Sequence, residues 1–201
     1  MRKICGTLLM ALGILLVLAA AGMTANHFRV QTRAGEKAQE ALTALEMSVA
    51  VDNRTDSALP QRPHYQLNPD MGMPEKTVNG VAYIGMLEIP SLDLCLPVIS
   101  STNNSYLQIA PCRFSGSAYL NNLVIGAHNY PGHFGRLDTL SYGDSVVFTD
   151  MDGNVFVYVV ADVEILQPDQ SELLCAGEWP LSLYTCTVGG RTRLTVRCDA
   201  A

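Results

Sequence analysis

The chain from Val81 onward is a series of short strand-like segments separated by turn residues, and this pattern limits the folds open to it. The predicted strands lie near Ala82–Ile89, Asp93–Ile99, Leu123–Ala127, Ser145–Thr149, Val155–Leu166, Leu181–Cys186 and Arg191–Cys198. Met151–Asn154 is a strong turn signal, and short helical pieces are predicted at Asn104–Ile109 and Phe134–Leu140. Seven or eight strands at this spacing predict an all-β sandwich or a closed barrel.

The last two predicted strands form a hairpin around Gly189-Gly190, and Cys186 ends the first of them. Three arginines alternate along one face of the second strand: Arg191, Arg193 and Arg197. Cations within reach of a cysteine favour its thiolate, so this position suits a nucleophile. The alternative is that Cys186 is a small buried residue that happens to lie near the turn.

A second predicted strand also ends at a candidate catalytic residue. The apolar strand Leu123–Ile125 runs into Gly126-Ala127-His128, and the chain then breaks at Pro131-Gly132. His128 is therefore a residue at a strand end, as Cys186 is.

Taken in this order, the motifs resemble those of the sortases, which are cysteine transpeptidases of Gram-positive bacteria. The matching residues are His128 in I-G-A-H-N, Thr185-Cys186 in L-Y-T-C and Arg193 in T-R-L-T-V-R. The resemblance covers about Val81 to Cys198. It implies a closed, seven- or eight-stranded sortase-type β-barrel with short helices, and no cofactor.

The resemblance also implies a role for each matching residue. Cys186 attacks a peptide carbonyl, and His128 protonates the departing nitrogen and later deprotonates the incoming amine. Arg193 cannot lose its proton near neutral pH, so its fixed donors are expected to hold the developing oxyanion.

Other residues near these motifs are given lesser roles. Arg191 and Arg197 are interpreted as solvated surface charges. His133, in the loop after Pro131-Gly132, is the competing histidine. The residues expected to line the substrate groove are Asn129, Tyr130 and Thr185.

The N-terminus carries an uncharged apolar run from Ile4 to Met23. At a rise of about 1.5 Å per residue, it makes a helix long enough for a hydrocarbon core of about 30 Å. Arg2 and Lys3 precede it and predict a cytoplasmic N-terminus with the rest of the chain extracellular. A cleavable signal peptide is the alternative, because small residues at Ala19–Ala21 offer a cleavage site.

Between the apolar run and the strands, the sequence predicts a helix and then a linker. A narrow apolar stripe falls on one face of 28–51, formed by Ala38, Ala41, Leu42, Leu45 and Val49. It predicts a stalk helix that lifts the domain off the membrane. The proline-rich part up to Asn79 predicts an extended linker. The expected organisation is therefore a membrane anchor (1–27), a juxtamembrane helix and linker (28–79) and a catalytic barrel (80–201).

Composition excludes several kinds of site. The net charge of −6 and the lack of a basic stripe argue against a nucleic-acid partner. The cysteines other than Cys5 and Cys186 are Cys95, Cys112, Cys175 and Cys198, and the sequence leaves their pairing open. No cysteine or histidine pair has zinc spacing, and no metal is expected. Asp169, Glu172 and Glu178 could form a calcium site but are interpreted as a solvated acidic loop.

The implied reaction cleaves a C-terminal sorting signal similar to Leu-Pro-x-Thr-Gly on an exported protein and passes the acyl group to an amine. The expected partners are secreted proteins with such signals, a peptidoglycan precursor or pilin amine, and the membrane. The chain ends soon after the last strand, and Asn68-Pro69-Asp70-Met71 does not match the Asp-Pro-aromatic motif of a pilus-sortase lid. These features predict a class D-like or unclassified clostridial-type enzyme.

Two other functions remain open at this stage. One is an anchored β-domain that has lost activity and binds a partner. The other is a different Cys/His cell-wall peptidase. Papain-like enzymes place Cys before His, however, and the S-x-G-C pattern of L,D-transpeptidases is absent here.

Overall fold

The computed structural model describes residues 2–52, 63–175 and 179–201. Its helices are α1 (Arg2–Asp52), α2 (His64–Leu67), α3 (Asn104–Leu107) and α4 (Ser171–Cys175). Its strands are β1 (Lys76–Val78), β2 (Val81–Ile89), β3 (Leu94–Ile99), β4 (Cys112–Ser115), β5 (Leu123–Ala127), β6 (Ser145–Asp150), β7 (Val155–Leu166), β8 (Leu181–Cys186) and β9 (Arg193–Ala200). Short 3-10 turns lie at Pro90–Leu92, Ala118–Leu120, Leu137–Thr139 and Pro168–Gln170.

Eight of the strands form a closed barrel. Neighbouring strands follow the order β2-β3-β4-β5-β8-β9-β7-β6, and β6 pairs again with β2 to close the ring. Closure removes free strand edges, which would otherwise pair with other chains. The ninth strand, β1, extends the sheet beside the first residues of β2. Of the two folds that the strand pattern allowed, the closed barrel is confirmed.

The predicted strands agree closely with the observed ones, with three differences. β1 and β4 were not predicted, because segments of three and four residues show too little alternation. β9 begins at Arg193 rather than Arg191, because the turn is wider than Gly189-Gly190 and closes with a hydrogen bond from Thr187 N to Thr192 O (3.0 Å). β7 spans its predicted residues without a break and has a bulge between Val160 and Asp162.

The barrel interior is filled by every second residue of each strand. Leu123 and Ile125 of β5 and Leu181 and Leu183 of β8 are fully buried in one apolar cluster. Phe134, which follows the His128 strand end, also reaches this cluster. The residues between them point to the outer face of the barrel, where the charged and polar side chains of the site lie.

α1 is one continuous helix with two different surroundings. Large apolar residues of its first half, such as Leu15 and Val17, are more than 60% exposed. Among the described residues, one helix is long and apolar enough to cross a membrane, and it is this one. The second half of α1 packs on the barrel near β3 and β1.

The helix that was predicted as a stalk is present, but it is docked on the barrel. Ala34, Ala38, Leu42 and Leu45 are all buried, with Ala38 and Leu45 joining the two main core clusters. Small residues let the helix backbone approach the barrel closely, so a narrow apolar stripe is sufficient for docking. The predicted boundary at residues 27 and 28 falls inside one helix.

The part of the linker around α2 covers the end of the barrel away from His128, whereas its last residues form β1. Tyr65 of α2 stacks on Tyr119, with ring centroids 4.6 Å apart, and Met73 is buried. Tyr119 precedes β5, whereas His128 follows it, so the two residues lie at opposite ends of that strand. Residues 53–62 of the predicted linker lie outside the described residues.

The interpretation of Arg197 as a solvated surface charge is wrong. Arg197 is 3% exposed, and its Nε donates to Glu164 Oε1 at 2.7 Å. It also donates to Ser182 Oγ and to the carbonyl oxygens of Leu173 and Leu174 in α4. The strand period puts Arg197 on the outer face, as expected, but α4 covers that face.

Replacing Arg197 with methionine should lower the free energy of unfolding by about 1 to 3 kcal/mol, because it leaves the α4 carbonyls without their donor. The matched control is Arg191→Met, at an exposed position on the same hairpin, which should change it by less than about 0.5 kcal/mol. Urea unfolding of the full chain in mild detergent, followed by Trp179 fluorescence, measures both. Equal midpoints for the two variants would contradict a structural role for Arg197.

Candidate active site

His128 and Cys186 come to one end of the barrel because their strands run side by side in the same direction. β5 and β8 are parallel, with Ala127 paired to Thr185, and each candidate residue directly follows its member of that pair. Neighbouring strands lie about 4.8 Å apart. The buried Thr185 hydroxyl donates to the Ala127 carbonyl at 2.9 Å, which fixes the two strand ends in this register.

Arg193 reaches the same place from the other side of Cys186. β8 and β9 are antiparallel, and Cys186 pairs directly with Arg193. Paired residues point to the same face with their Cβ atoms about 4.5–5.5 Å apart. Because Thr185 and Leu194 point inward, Cys186 and Arg193 both lie on the outer face. The structure thus brings the three predicted residues together at one barrel end.

The Arg193 guanidinium is half-buried beside the hairpin turn. Its Nη1 donates to the carbonyl oxygens of Gly190 and Thr192, both at 3.3 Å. These bonds are long, so they hold the group weakly and leave it able to turn toward a substrate. Gly189 and Gly190 have φ values of 85° and 70°, a backbone region that favours glycine in the turn.

His128 is held by two neighbours. The side-chain amide of Gln108, next to α3, donates from its Nε2 to His128 Nε2 at 3.0 Å. The Tyr130 ring stacks on the imidazole with centroids 4.7 Å apart and planes at 29°. Burial lowers the pKa of His128, so the ring is neutral at neutral pH and its Nε2 can accept from the amide.

Tyr184 forms the surface beneath the site. It lies on the outer face between Ser182 and Cys186 and crosses Gly126 of β5. A Cβ at Gly126 would come within 2.4 Å of the Tyr184 ring, so only glycine fits there. Phe114 meets the ring edge-on at 5.5 Å, and burial raises the pKa of Tyr184 to about 12.

Two adjoining pockets open at this end of the barrel. One, of about 300 Å³, is lined by Cys186 together with apolar side chains that include Phe134, Ile165, Val188 and Leu194. The other, of about 450 Å³, lies between the His128 loop, the hairpin turn and Gln31 of α1. Neither His128 nor Arg193 is a lining residue of these two pockets.

The three residues predicted to line the groove differ in position. Asn129 lines both pockets and Tyr130 lines the larger one. Thr185 lines the smaller pocket but is only 2% exposed, and its hydroxyl is engaged by the Ala127 carbonyl. Its observed contact is therefore between strands, and a substrate role for all three remains a prediction.

His133 and the cysteines other than Cys186 are the alternative candidates for the catalytic roles, and most of them are more deeply buried. His133 is 1% exposed beneath α1, and burial lowers its pKa to about 4. Cys95, Cys112, Cys175, Cys186 and Cys198 are free thiols, and burial raises the pKa of Cys112 and of Cys198 to about 12. Cys175 is exposed, as the acidic loop around it is. Of that loop's predicted acidic residues, Glu178 lies outside the described residues.

Residues 2–52, 63–175 and 179–201 contain no candidate metal site. No group of three histidine, cysteine, aspartate or glutamate side chains there is placed to hold an ion.

Two residues of the site escaped the sequence analysis. Tyr184 could have been found, because it precedes Thr185-Cys186 and shares the outer face with Cys186 by period two. Gln108 could not, because it follows α3 and reaches His128 only through the tertiary fold.

Comparison with known proteins points to the same family that the sequence motifs resemble. The profile of the Sortase domain family matches residues 87–201, which is more than half of the chain. Among solved structures, sortase C1 of Streptococcus suis is similar, with 27% identity, a TM-score of 0.52, and coverage of 59% of this chain and 73% of that one.

Two further structures share the fold. Sortase C of Streptococcus pneumoniae is 24% identical, with a TM-score of 0.54 and coverage of 79% of this chain and 89% of that one. Sortase D5 of Clostridium perfringens is 19% identical, with a TM-score of 0.53 and coverage of 59% and 79%. No curated protein sequence matches the chain. With the family profile spanning the barrel and the strand ends that carry His128, Cys186 and Arg193, the chain belongs to the sortase family.

Proposed function

We propose that this protein is a membrane-anchored cysteine transpeptidase that uses Cys186, His128 and Arg193. Its substrate is an exported protein with a C-terminal sorting signal similar to Leu-Pro-x-Thr-Gly. The acceptor is an amine of a peptidoglycan precursor or of a pilin lysine. No cofactor takes part. The observation that carries the proposal is the strand register, which aligns the parallel ends of β5 and β8 and sets Arg193 opposite Cys186.

The first half of the reaction forms a thioester. The Cys186 thiolate attacks the carbonyl carbon of the Thr-Gly bond, and negative charge develops on the carbonyl oxygen. Arg193 donates to that oxygen after leaving its weak contacts at Gly190 and Thr192. The C–N bond then breaks as protonated His128 gives its proton to the departing amine.

The second half reverses these roles. The incoming amine attacks the thioester carbon, His128 takes a proton from the amine nitrogen, and the C–S bond breaks to release the product. Because burial lowers the pKa of His128, the ring is mostly neutral near neutral pH and ready to accept this proton. For the same reason, only a small fraction of the molecules carries the His128 imidazolium that thioester formation requires.

The position of α1 supports a reaction close to the membrane. Gln31, which lines the larger pocket, follows the end of the apolar run at Met23 by about 12 Å along the helix axis. With Arg2 and Lys3 on the cytoplasmic side, the barrel lies outside the cell and near the bilayer. Both an exported protein and a lipid-linked precursor are held at that surface. The class D-like or unclassified clostridial-type assignment stays a prediction.

The proposal predicts a covalent intermediate on Cys186. The full chain in detergent micelles, given peptides with sorting-signal motifs, should show the acyl fragment bound to Cys186 by mass spectrometry. Arg193→Met should slow thioester formation about 100- to 1000-fold, because it removes an oxyanion donor. Arg191→Met, on the same hairpin, should not. If no motif in a peptide library gives an adduct, the chain is a binding module rather than an enzyme.

The thiols should also differ in reactivity. In a Cys175→Ser background, which removes the exposed competitor, iodoacetamide should label Cys186 first at neutral pH. Cys112 and Cys198 should stay unlabelled until denaturant is added, because burial keeps them as thiols. Peptide mass spectrometry maps the sites, and His128→Ala should change the rate at Cys186. Labelling of the half-buried Cys95 as fast as Cys186 would argue against an activated nucleophile.

A further inference from the structure

The docked half of α1 touches the loop that carries His128. At the contact, Gly35 faces Gly132 so closely that a Cβ on Gly132 would lie 2.7 Å from the Gly35 Cα. Beside it, the His133 Nε2 donates to the carbonyl oxygen of Ala34 at 3.2 Å. The two backbones are therefore in direct contact and are joined by a side-chain hydrogen bond.

His133 is an unusual choice for simple packing. The ring is 1% exposed, and the Ile109 backbone lies close to it, but Nδ1 makes no hydrogen bond of ordinary geometry within the described part of the chain. Leaving a buried polar atom unpaired costs free energy that an apolar side chain would avoid. Because burial keeps the ring neutral, it carries one N–H, and the observed bond places that proton on Nε2, toward Ala34.

The contact is connected to His128 by a compact loop. The Tyr130 ring lies between the two histidines, with centroids 5.8 Å from His133 and 4.7 Å from His128. The backbone N–H of Phe134, whose side chain is fully buried in the core, donates to the His128 carbonyl at 3.2 Å. Gly135 N and His133 N both donate to the Tyr130 carbonyl at 2.9 Å. A shift at Gly132 or His133 must therefore move Tyr130 and His128.

We propose that the barrel-docked half of α1 positions the catalytic histidine, through the Gly35–Gly132 contact and the bond from His133 to Ala34. His133 and Tyr130 are positioning residues that act through His128 and do not touch the reacting atoms. On this proposal, α1 contributes to catalysis by positioning His128, in addition to anchoring the protein in the membrane. This inference rests on the role proposed above for His128.

The mechanism predicts what happens when the contact is loosened. Moving α1 away releases the loop, and Tyr130 no longer covers the His128 ring. The ring becomes more hydrated, so its depressed pKa rises toward the ordinary value. The other polar or titratable groups around the ring are Gln108, His133 and, across the strand pair, Cys186.

The test uses two glycine variants of the full chain in detergent micelles. Gly132→Ala places a methyl against the Gly35 backbone and must push the helix away. Gly35→Ala is the matched control, because its Cβ would meet the Gly132 Cα at 3.5 Å, an ordinary contact. A higher His128 pKa gives more imidazolium, but a misplaced catalytic group costs more than this gains, so Gly132→Ala should slow single-turnover thioester formation about 10- to 100-fold. The control should match the wild type.

Histidine side-chain NMR supplies a readout that does not depend on turnover. The His128 titration midpoint should move to higher pH in Gly132→Ala and stay unchanged in Gly35→Ala. If the wild-type protein forms no thioester, the proposed function fails, but the titration still tests the link between α1 and His128.

If Gly132→Ala does not fold, a second pair of variants at His133 tests whether the contact with α1 positions His128. His133→Met keeps the bulk but loses the donor to Ala34, and should shift the His128 titration upward and slow the reaction. His133→Gln keeps an N–H donor near Nε2 and should restore both. A folded Gly132→Ala or His133→Met protein with wild-type rate and titration would overturn the proposal, because the contact would then be packing alone.

Discussion

The geometry of the site depends on the parallel pairing of β5 with β8. Two adjacent strands that run in the same direction end at the same edge of the sheet, and each places its next residue there. A slip of one residue would turn Cys186 inward and Thr185 outward, because strand side chains alternate between faces. The hydrogen bond from the buried Thr185 hydroxyl to the Ala127 carbonyl opposes such a slip, with a typical net worth of about 1 kcal/mol.

Helices on the outside of the barrel complete this arrangement. α4 covers the outer face of β8 and β9, and Arg197 ties it there through the Leu173 and Leu174 carbonyls. α1 covers the loop after β5. In both places a helix covers a surface that would otherwise face solvent. Near the loop under α1, burial of His128 lowers its pKa.

The family and the site followed from sequence to different degrees. Six of the seven predicted strands match the observed bounds within one residue, because alternation over five residues or more is a strong signal. β1 and β4 were missed because they are too short to alternate. The three catalytic candidates were found because each carries a motif at a strand end. Gln108 was missed because its contact with His128 joins segments 20 residues apart, and no local pattern records it.

The errors share one cause. Arg197 was interpreted as a solvated charge and the helix of 28–51 as a stalk, since periodicity shows which face a residue occupies but not what covers that face. The sequence by itself determined the strands, the hairpin, the apolar N-terminal run and the order of His128, Cys186 and Arg193. Only the tertiary structure decided that α1 and α4 cover the outer face of the barrel. Close contacts such as Gly35 with Gly132 form between residues far apart in the chain, and they depend on the complete packing of helix on sheet.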